Sequence, residues 1–206
     1  MKLFAGVLAA LGLMSPALMS PVRAAERFPQ MTQEQMDPAQ KKVADAIMAS
    51  RKNLSGPFSP WLRSPELADR LQAVGEYVRY NSAFTPPQSE FAILVVARAW
   101  TSQLEWNIHY PIATAAGVKP ELLADLAANR RPRGMDEDQG LIYDFSIAMQ
   151  RDKGNISDAL FDKVKSRFGE KKMLDLLGLN AYYAAAAMTI NLGQVPLPDG
   201  AKPPLK

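Results

Sequence analysis

One segment near the middle of the chain, Phe91 to Ala99, would be apolar on every side of a helix except at Arg98. A helix with this pattern is buried inside a domain and does not lie on its surface. We therefore predict that this segment forms the centre of the fold.

Other segments repeat apolar residues every three or four positions, which is the helical period. Proline or a capping residue opens several of them, as is common at helix starts. No segment alternates apolar and polar residues for long enough to indicate a strand, so the predicted fold class is all-α. The predicted helices run from Asp37 to about Arg51, Ser64 to about Asn81, Lys119 to before Arg130, Asp136 to Gln150, Ser157 to about Phe168, and Lys171 to Leu192.

Prolines and glycines mark the interruptions. The stretch from Asn53 to Ser64 contains Gly56 and two prolines and is predicted to be an irregular loop. Pro111 should kink or reset its helix, because proline lacks an N–H and its ring disturbs the preceding turn. The proline-rich tail, residues 193–206, is expected to be extended and to lie across another subunit. The loop side chains expected to fill a core or subunit groove are Phe58, Trp61 and Leu62.

The first 24 residues have the order of a secretory signal peptide. Lys2 precedes an apolar run from Leu3 to Leu13. Val22 and Ala24 occupy the two positions before the cleaved bond at which small residues are required. The run is too short to span a membrane, and an uncleaved anchor is the alternative. Cleavage after Ala24 predicts a periplasmic or secreted protein, free of the membrane, with one domain over residues 25–206.

The rest of the composition excludes several classes of function. Loss of Lys2 and Arg23 with the signal segment lowers the formal net charge from +3 to +1. The one basic cluster, Arg130, Arg131 and Arg133, has no interleaved aromatic residues and is predicted to be a solvated loop, so no nucleic acid is expected as a partner. The chain contains no cysteine, which rules out disulfides, thiol redox cycles and cysteine-based zinc sites.

The only histidine, His109, lies in a second helical stretch from Thr101 to Ala116. At about 100° per residue, Ser102, Glu105 and His109 fall on one face, within an arc of about 60°. Glu105 and His109 lie about 6 Å apart along the axis and can touch. Ser102 lies roughly 10 Å from His109 along the axis, whereas a base must come within about 3 Å of a hydroxyl that it activates. We therefore predict a Glu105–His109 acid/base pair, with all three side chains facing one cavity.

Each of these residues also has a purely structural interpretation. His109 can be a core histidine bonded to a backbone carbonyl, and Glu105 can be half of a surface i, i+4 pair. Glu90 can complement the dipole at a helix N-terminus. A carboxylate crowded by apolar neighbours such as Trp106 instead has a raised pKa and can hold a proton for donation. Glu90, Glu105 and His109 can also form a carboxylate-rich metal triad, since both residue types ligate zinc and iron.

The spacing of Glu90, Ser102, Glu105 and His109, followed by Gly117-Val118, resembles the core motif of the carboxymuconolactone decarboxylase and alkyl hydroperoxidase D superfamily. In the hydroperoxidase branch a glutamate, two cysteines and a histidine have these spacings, so Ser102 and Glu105 stand where that branch has cysteines. In the decarboxylase branch a glutamate precedes the histidine by four residues, as here. The chain thus resembles cysteine-free bacterial members of the superfamily.

This resemblance spans roughly residues 34–198 and implies an AhpD-like helical bundle that assembles as a homotrimer or a multiple of one. It implies a cofactor-free lyase or isomerase that acts on a small organic acid or lactone, with His109, Glu105 and Glu90 as catalytic residues. It does not imply a metal, so no metal or cofactor is expected. A non-catalytic binding or structural protein with the same fold is the alternative, and a thiol peroxidase is disfavoured because the cysteines are absent. The residues expected to contact the substrate are Ser102, Trp106, Tyr183 and Asn191.

Overall fold

The computed structural model describes residues 25–206, which fold into eight α-helices and contain no strand. The prediction of an all-α fold is therefore confirmed, whereas the predicted signal segment lies outside the described residues. The helices are α1 (Pro38–Arg51), α2 (Phe58–Trp61), α3 (Pro65–Glu76), α4 (Pro86–Ala99), α5 (Gln103–Ala115), α6 (Pro120–Ala127), α7 (Glu137–Arg151) and α8 (Asp158–Gly193).

Local capping chemistry sets several helix starts. Proline is the first residue of α1, α3, α4 and α6. At this position a backbone N–H would have no acceptor within the helix, so proline loses no hydrogen bond. At α1 the side chains of Asp37 and Gln40 bond each other's backbone N–H groups, and Asp136 and Gln139 do the same at α7. These contacts explain why the predicted starts agree closely with the observed ones.

Helix α4 is the centre of the molecule. Every residue from Ser89 to Ala97 is buried, and the helix packs against α5, α6, α7 and α8. The prediction that Phe91 to Ala99 forms the buried centre is thus confirmed, apart from partial exposure at its last two residues. Because α4 contacts so many helices, a polar side chain on it meets groups from several of them.

Helix α3 ends in a wider turn than the sequence predicts. Residues Tyr77–Asn81 form a π-helical turn that continues α3 to the predicted end. Such turns change the direction in which side chains leave the helix and are frequent at functional sites. This turn brings Arg79 to the buried side of the bundle, where its side chain is 16% exposed.

Two predicted interruptions contain helical residues. Helix α5 continues through Pro111 to Ala115, so Pro111, which lies on its exposed side, does not reset the helix, and the predicted kink stays a prediction. The loop after α1 contains the short helix α2, and its Phe58, Trp61 and Leu62 are buried as expected. Helix α8 breaks at Gly169, whose positive φ of 73° separates the two helices that were predicted.

Helix α8 also has the length and composition of a membrane span. However, 61% of its most apolar window is buried within the described part of the protein. A core helix of a bundle has this pattern, since it is apolar on several sides.

The end of the C-terminal tail packs on its own chain, and the expectation that the tail lies across another subunit stays a prediction. The side chain of Gln103 bonds both the N–H and the carbonyl of Leu205, at 2.9 Å each. Arg98 donates to the carbonyl of Lys206 at 3.0 Å, and Leu205 is buried. The amide and guanidinium groups near the start of α5 therefore hold the tail, which the apolar period could not indicate.

Candidate active site

His109 lies between two carboxylates in the interior of the bundle. Its Nδ1 is 2.6 Å from Glu90 Oε2, and its Nε2 is 3.4 Å from Glu105 Oε2. All three residues are no more than 4% exposed. The predicted contact between Glu105 and His109 is therefore confirmed, and the contact with Glu90 is shorter still.

The packing of α4 on α5 creates this arrangement. Glu105 and His109 are one turn apart on α5, so both project towards the same side. Glu90 is the fifth residue of α4, beyond the first turn in which a carboxylate complements the helix dipole. Its partner is the imidazole of His109, which explains a carboxylate in the buried part of this helix.

The short contact with Glu90 favours the Nδ1–H form of His109. A distance of 2.6 Å between Nδ1 and a carboxylate oxygen requires a proton between the two atoms. Nδ1–H therefore donates to Glu90, which leaves Nε2 facing Glu105. The 3.4 Å approach of Glu105 is a contact and not a hydrogen bond, since Oε2 has no hydrogen-bond partner among the described residues.

The surroundings of Glu105 favour its protonated form. Burial raises the pKa of Glu105, and the nearby His109 and Arg79 oppose this increase only in part. A neutral Glu105 can give a proton, whereas Nε2 of the Nδ1–H tautomer can take one. Glu105 Oε2 and His109 Nε2 thus place an acid and a base 3.4 Å apart.

Two arginines that were not predicted approach the same site. Arg79 Nε lies 3.5 Å from Glu90 Oε1, and its guanidinium packs over the ring of Tyr80 at 5.1 Å. Burial alone would lower the pKa of Arg79, but Tyr183 and Glu90 raise it overall, so it stays charged. Arg51, the last residue of α1, packs over Phe58 at 5.0 Å.

Tyr183 and Tyr182 supply the aromatic wall. The ring of Tyr183 meets the imidazole of His109 edge to face, with centroids 5.1 Å apart. Burial raises the pKa of Tyr183 well above its usual value, and that of Tyr182 to about 12. Both phenols therefore remain neutral and can act as hydrogen-bond donors. Of the two, only Tyr183 was predicted.

A small cavity gives access to these groups. Its volume is about 50 Å³, and its walls include His109, Glu105, both arginines and both tyrosines. Glu90 is absent from the walls, so it supports His109 from behind. We therefore describe Glu90 as a positioning residue, and His109 and Glu105 as the pair that can meet a substrate.

Three predicted substrate-binding residues lie outside this cavity. Ser102 precedes the first residue of α5 and has extended backbone angles, φ −80° and ψ 98°, so the helical arithmetic that placed it beside Glu105 does not apply. Its buried Oγ has no hydrogen-bond partner. Trp106 lines a separate surface pocket with Tyr110, and Asn191 donates to the Trp100 carbonyl at 3.0 Å. The expectation that Ser102 shares a cavity with His109 was wrong.

The arrangement also argues against one metal ion bound by all three residues. Glu90 and Glu105 contact opposite nitrogens of the imidazole ring, so their oxygens cannot converge with one ring nitrogen on a single ion. No group of three metal-ligating side chains with suitable geometry occurs within residues 25–206.

Two solved structures share the fold of this chain. One, described as an alkylhydroperoxidase AhpD core and an uncharacterized peroxidase-related protein from Ralstonia eutropha JMP134, is 14% identical, with a TM-score of 0.70 over 84% of this chain and 92% of that one. The other, an uncharacterized peroxidase-related protein from Silicibacter sp. TM1040, is 15% identical, with a TM-score of 0.69 over 91% of this chain and 96% of that one. No family model matches the chain, and no curated protein does. The predicted AhpD-like fold is therefore confirmed.

Proposed function

We propose that the protein is a cofactor-free acid/base catalyst of the carboxymuconolactone decarboxylase-like type, a lyase or isomerase of a small organic acid or lactone. The observation that carries the proposal is the position of His109 between Glu90 and Glu105, at 2.6 and 3.4 Å, beside a cavity. A fully buried imidazole with two carboxylates is costly for a merely structural role. Perturbed, convergent groups beside a cavity favour a catalytic role.

In an isomerisation, a proton leaves one atom of the substrate and a proton is added to another. In a lyase reaction, the bond to the leaving group breaks as the substrate loses its proton, and the leaving group takes the bonding electrons and the proton that Glu105 gives. Nε2 of His109 takes a proton from the substrate, and the Glu90 carboxylate stabilises the imidazolium that forms. Glu105 gives its proton to the atom that gains negative charge, and later recovers one from His109. Both residues end the cycle as they began it, so neither an oxidant nor a bound cofactor is required.

Thiol-based peroxide reduction is not part of the proposal. Both solved structures of the same fold are described as peroxidase-related, but this chain has no cysteine. A thiol cycle needs an attacking thiolate and a resolving thiol. Ser102 and Glu105, which stand where the resemblance places those thiols, cannot supply them.

Turnover of a metabolite mixture by the mature protein, followed by mass spectrometry, tests the proposal. His109→Ala and Glu105→Gln should each lower kcat by about 10²–10⁴-fold, because each removes a proton carrier. The double variant should lose little more than the worse single one, since the residues act as a unit. Glu121→Gln, an exposed change on α6, is the matched control. Turnover that survives His109→Ala would contradict the proposed role.

A non-catalytic binding protein is the second candidate. The observation in its favour is the cavity volume of about 50 Å³, which is small for an entire substrate. This candidate predicts ligand binding without any product, and no change of product on His109→Ala. Product formation that depends on both His109 and Glu105 excludes it.

We also propose that the protein is a homo-oligomer, as the resemblance implies. Support comes from an apolar stripe on α8, where Leu174, Leu177, Met188 and Leu192 are 40–60% exposed at helical spacing. Light scattering on the wild type and on Leu174→Lys tests this, with Lys163→Glu as a charge control outside the stripe. A monomeric wild type at micromolar concentration contradicts the proposal.

The predicted export remains a proposal too. The signal-like segment before Ala25 supports a periplasmic or secreted protein. Mass spectrometry of the protein expressed in a bacterium with its leader should give a chain that begins at Ala25. A full-length chain held in the cytoplasm would count against it.

A further inference from the structure

Arg51 is partly buried and forms no ion pair with a carboxylate of the described residues. Its Nε and Nη2 atoms are buried and form no hydrogen bond within the described residues. Glu105 lines the same cavity and feels the positive charge of Arg51, but its Oε2 forms no hydrogen bond. Glu90 is already engaged by His109 and Arg79. Unpaired buried polar groups are rare in native structures, and each asks for an explanation.

The charges around the cavity leave one positive charge over. Arg51 and Arg79 each carry one, and Glu90 offsets one of them. Burial raises the pKa of Glu105, and the nearby His109, Arg79 and Arg51 oppose this increase in part, so its neutral form is favoured. With Glu105 neutral, one monoanion balances the remaining positive charge, and the two guanidinium nitrogens of Arg51 without a hydrogen bond match the two oxygens of a carboxylate.

The volume of the cavity fits the size of such a group. One water molecule needs a cavity of about 10–15 Å³. The cavity of about 50 Å³ therefore holds roughly three to five heavy atoms. A carboxylate has three heavy atoms. The remainder of any larger acid must lie elsewhere.

A second cavity of about 370 Å³ adjoins the first and shares Ser55, Gly56 and Ile108 with it. Gly56 has a positive φ of 71°, and a Cβ there would lie 4.0 Å from Ile108 Cδ1, so the two residues lie close together where the cavities adjoin. We call this place the Gly56–Ile108 neck. The walls of the outer cavity are largely apolar, while Glu26 and Asp199 belong to it as well and would repel a second negative charge. Its apolar walls include Leu54, Leu104, Val195 and Pro196.

We propose that Arg51, with Arg79 behind it, binds the carboxylate of a monocarboxylic acid whose apolar body passes the Gly56–Ile108 neck into the outer cavity. This inference rests on the proposed function and narrows its substrate class to acids with one carboxylate and an apolar body. It also places that carboxylate within the cavity that His109 and Glu105 share.

Isothermal titration calorimetry of the mature protein with a series of probes tests the inference. Affinity should rise by about fourfold per methylene from acetate through butanoate to hexanoate. Hexanol and inorganic phosphate should bind at least tenfold more weakly than hexanoate, because one lacks the charge and the other carries too much. Equal binding of hexanol, tighter binding of phosphate than of acetate, or no saturable carboxylate binding would each overturn the inference.

Variants assign the two parts of the site. Arg51→Gln should weaken hexanoate binding by about 10- to 100-fold, the range of a lost charge-assisted hydrogen bond, and Arg51→Lys by less. The exposed Arg70→Gln is the matched control. Ile108→Phe should weaken hexanoate but not acetate, while Ile112→Phe, one turn away and exposed, should change neither. Wild-type hexanoate affinity in Arg51→Gln, or equal effects of Ile108→Phe on both acids, would refute the assignment.

The outcome separates this inference from the proposed function. Binding is measured without turnover, so Arg51-dependent binding in a protein that makes no product leaves the inference standing and removes the catalytic role. Turnover that is lost on His109→Ala but unchanged by Arg51→Gln supports the catalytic role and removes the inference about Arg51.

Discussion

Glu105→Gln should make the protein more stable at neutral pH while it removes a proton carrier. Glu105 is 3% exposed, and its Oε2 has no hydrogen-bond partner among the described residues. Burial raises its pKa, and the opposing effects of His109 and Arg79 are smaller. Glutamine has nearly the same shape but never ionises, so it avoids the cost of a buried charge.

The sign and size of the effect follow from proton linkage. A carboxyl whose pKa is higher in the folded than in the unfolded chain stabilises folding most below its ordinary value of 4.5, and this contribution is lost as pH rises through the raised pKa. Within that window one group changes the free energy of unfolding by up to about 1.4 kcal/mol per pH unit. For a chain of this size, about 1 kcal/mol shifts Tm by roughly 2–4 °C. The variant should therefore gain about 3–6 °C on the wild type for each pH unit in the window.

Calorimetric unfolding between pH 4 and 8 measures this difference directly. The Tm of Glu105→Gln minus that of the wild type should be smallest near pH 4, widen as pH rises, and become constant above the raised pKa. Glu121→Gln, whose carboxylate is exposed, should show no such widening. A difference that stays constant or narrows with rising pH would refute the claim that burial controls Glu105.

Three further predictions follow from the packing and composition of the chain. Gly75→Ala should lower the free energy of unfolding by about 1–3 kcal/mol in denaturant titrations, because the added Cβ would lie 2.2 Å from Tyr182 Cζ. Gly178→Ala is the control and should lower it by less, since its Cβ would lie 3.4 Å from the nearest neighbour. Ser102→Ala should leave kcat within about twofold and stability unchanged or higher, since its buried Oγ has no partner; a severe defect would restore a catalytic role. Reduction of hydroperoxides with dithiol donors should be negligible in a coupled assay, and turnover that survives metal removal would contradict this.

The helical period was sufficient to predict the parts of the site that lie within single regular helices. The buried run in α4 and the one-turn spacing of Glu105 and His109 are both properties of local sequence, and both are observed. The prediction for Ser102 was wrong because α5 begins one residue after it. The rotation of 100° per residue therefore does not apply to Ser102. A boundary error of two residues was enough to put a side chain in the wrong place.

The remaining site residues come together through tertiary packing. Arg79 reaches the site through a π-helical turn, and Arg51 through the last residue of α1, and neither feature leaves a period in the sequence. Tyr182 precedes a predicted residue but belongs to a helix apolar on several sides, so its direction could not be predicted. The one available signal for Arg79 was a cation within an otherwise apolar, aromatic stretch.

The account of the site depends most on the contact between Glu90 and His109, because we infer that Glu90 holds the ring in its Nδ1–H form with Nε2 facing Glu105. Because His109 is the only histidine of the chain, its ring nitrogens can be observed without ambiguity by ¹⁵N NMR of histidine-labelled protein. We expect Nδ1 to carry a proton, with a strongly deshielded hydrogen-bonded resonance that Glu90→Gln shifts upfield. A neutral Nε2–H tautomer, or an Nδ1 resonance that Glu90→Gln leaves unchanged, would contradict this inference.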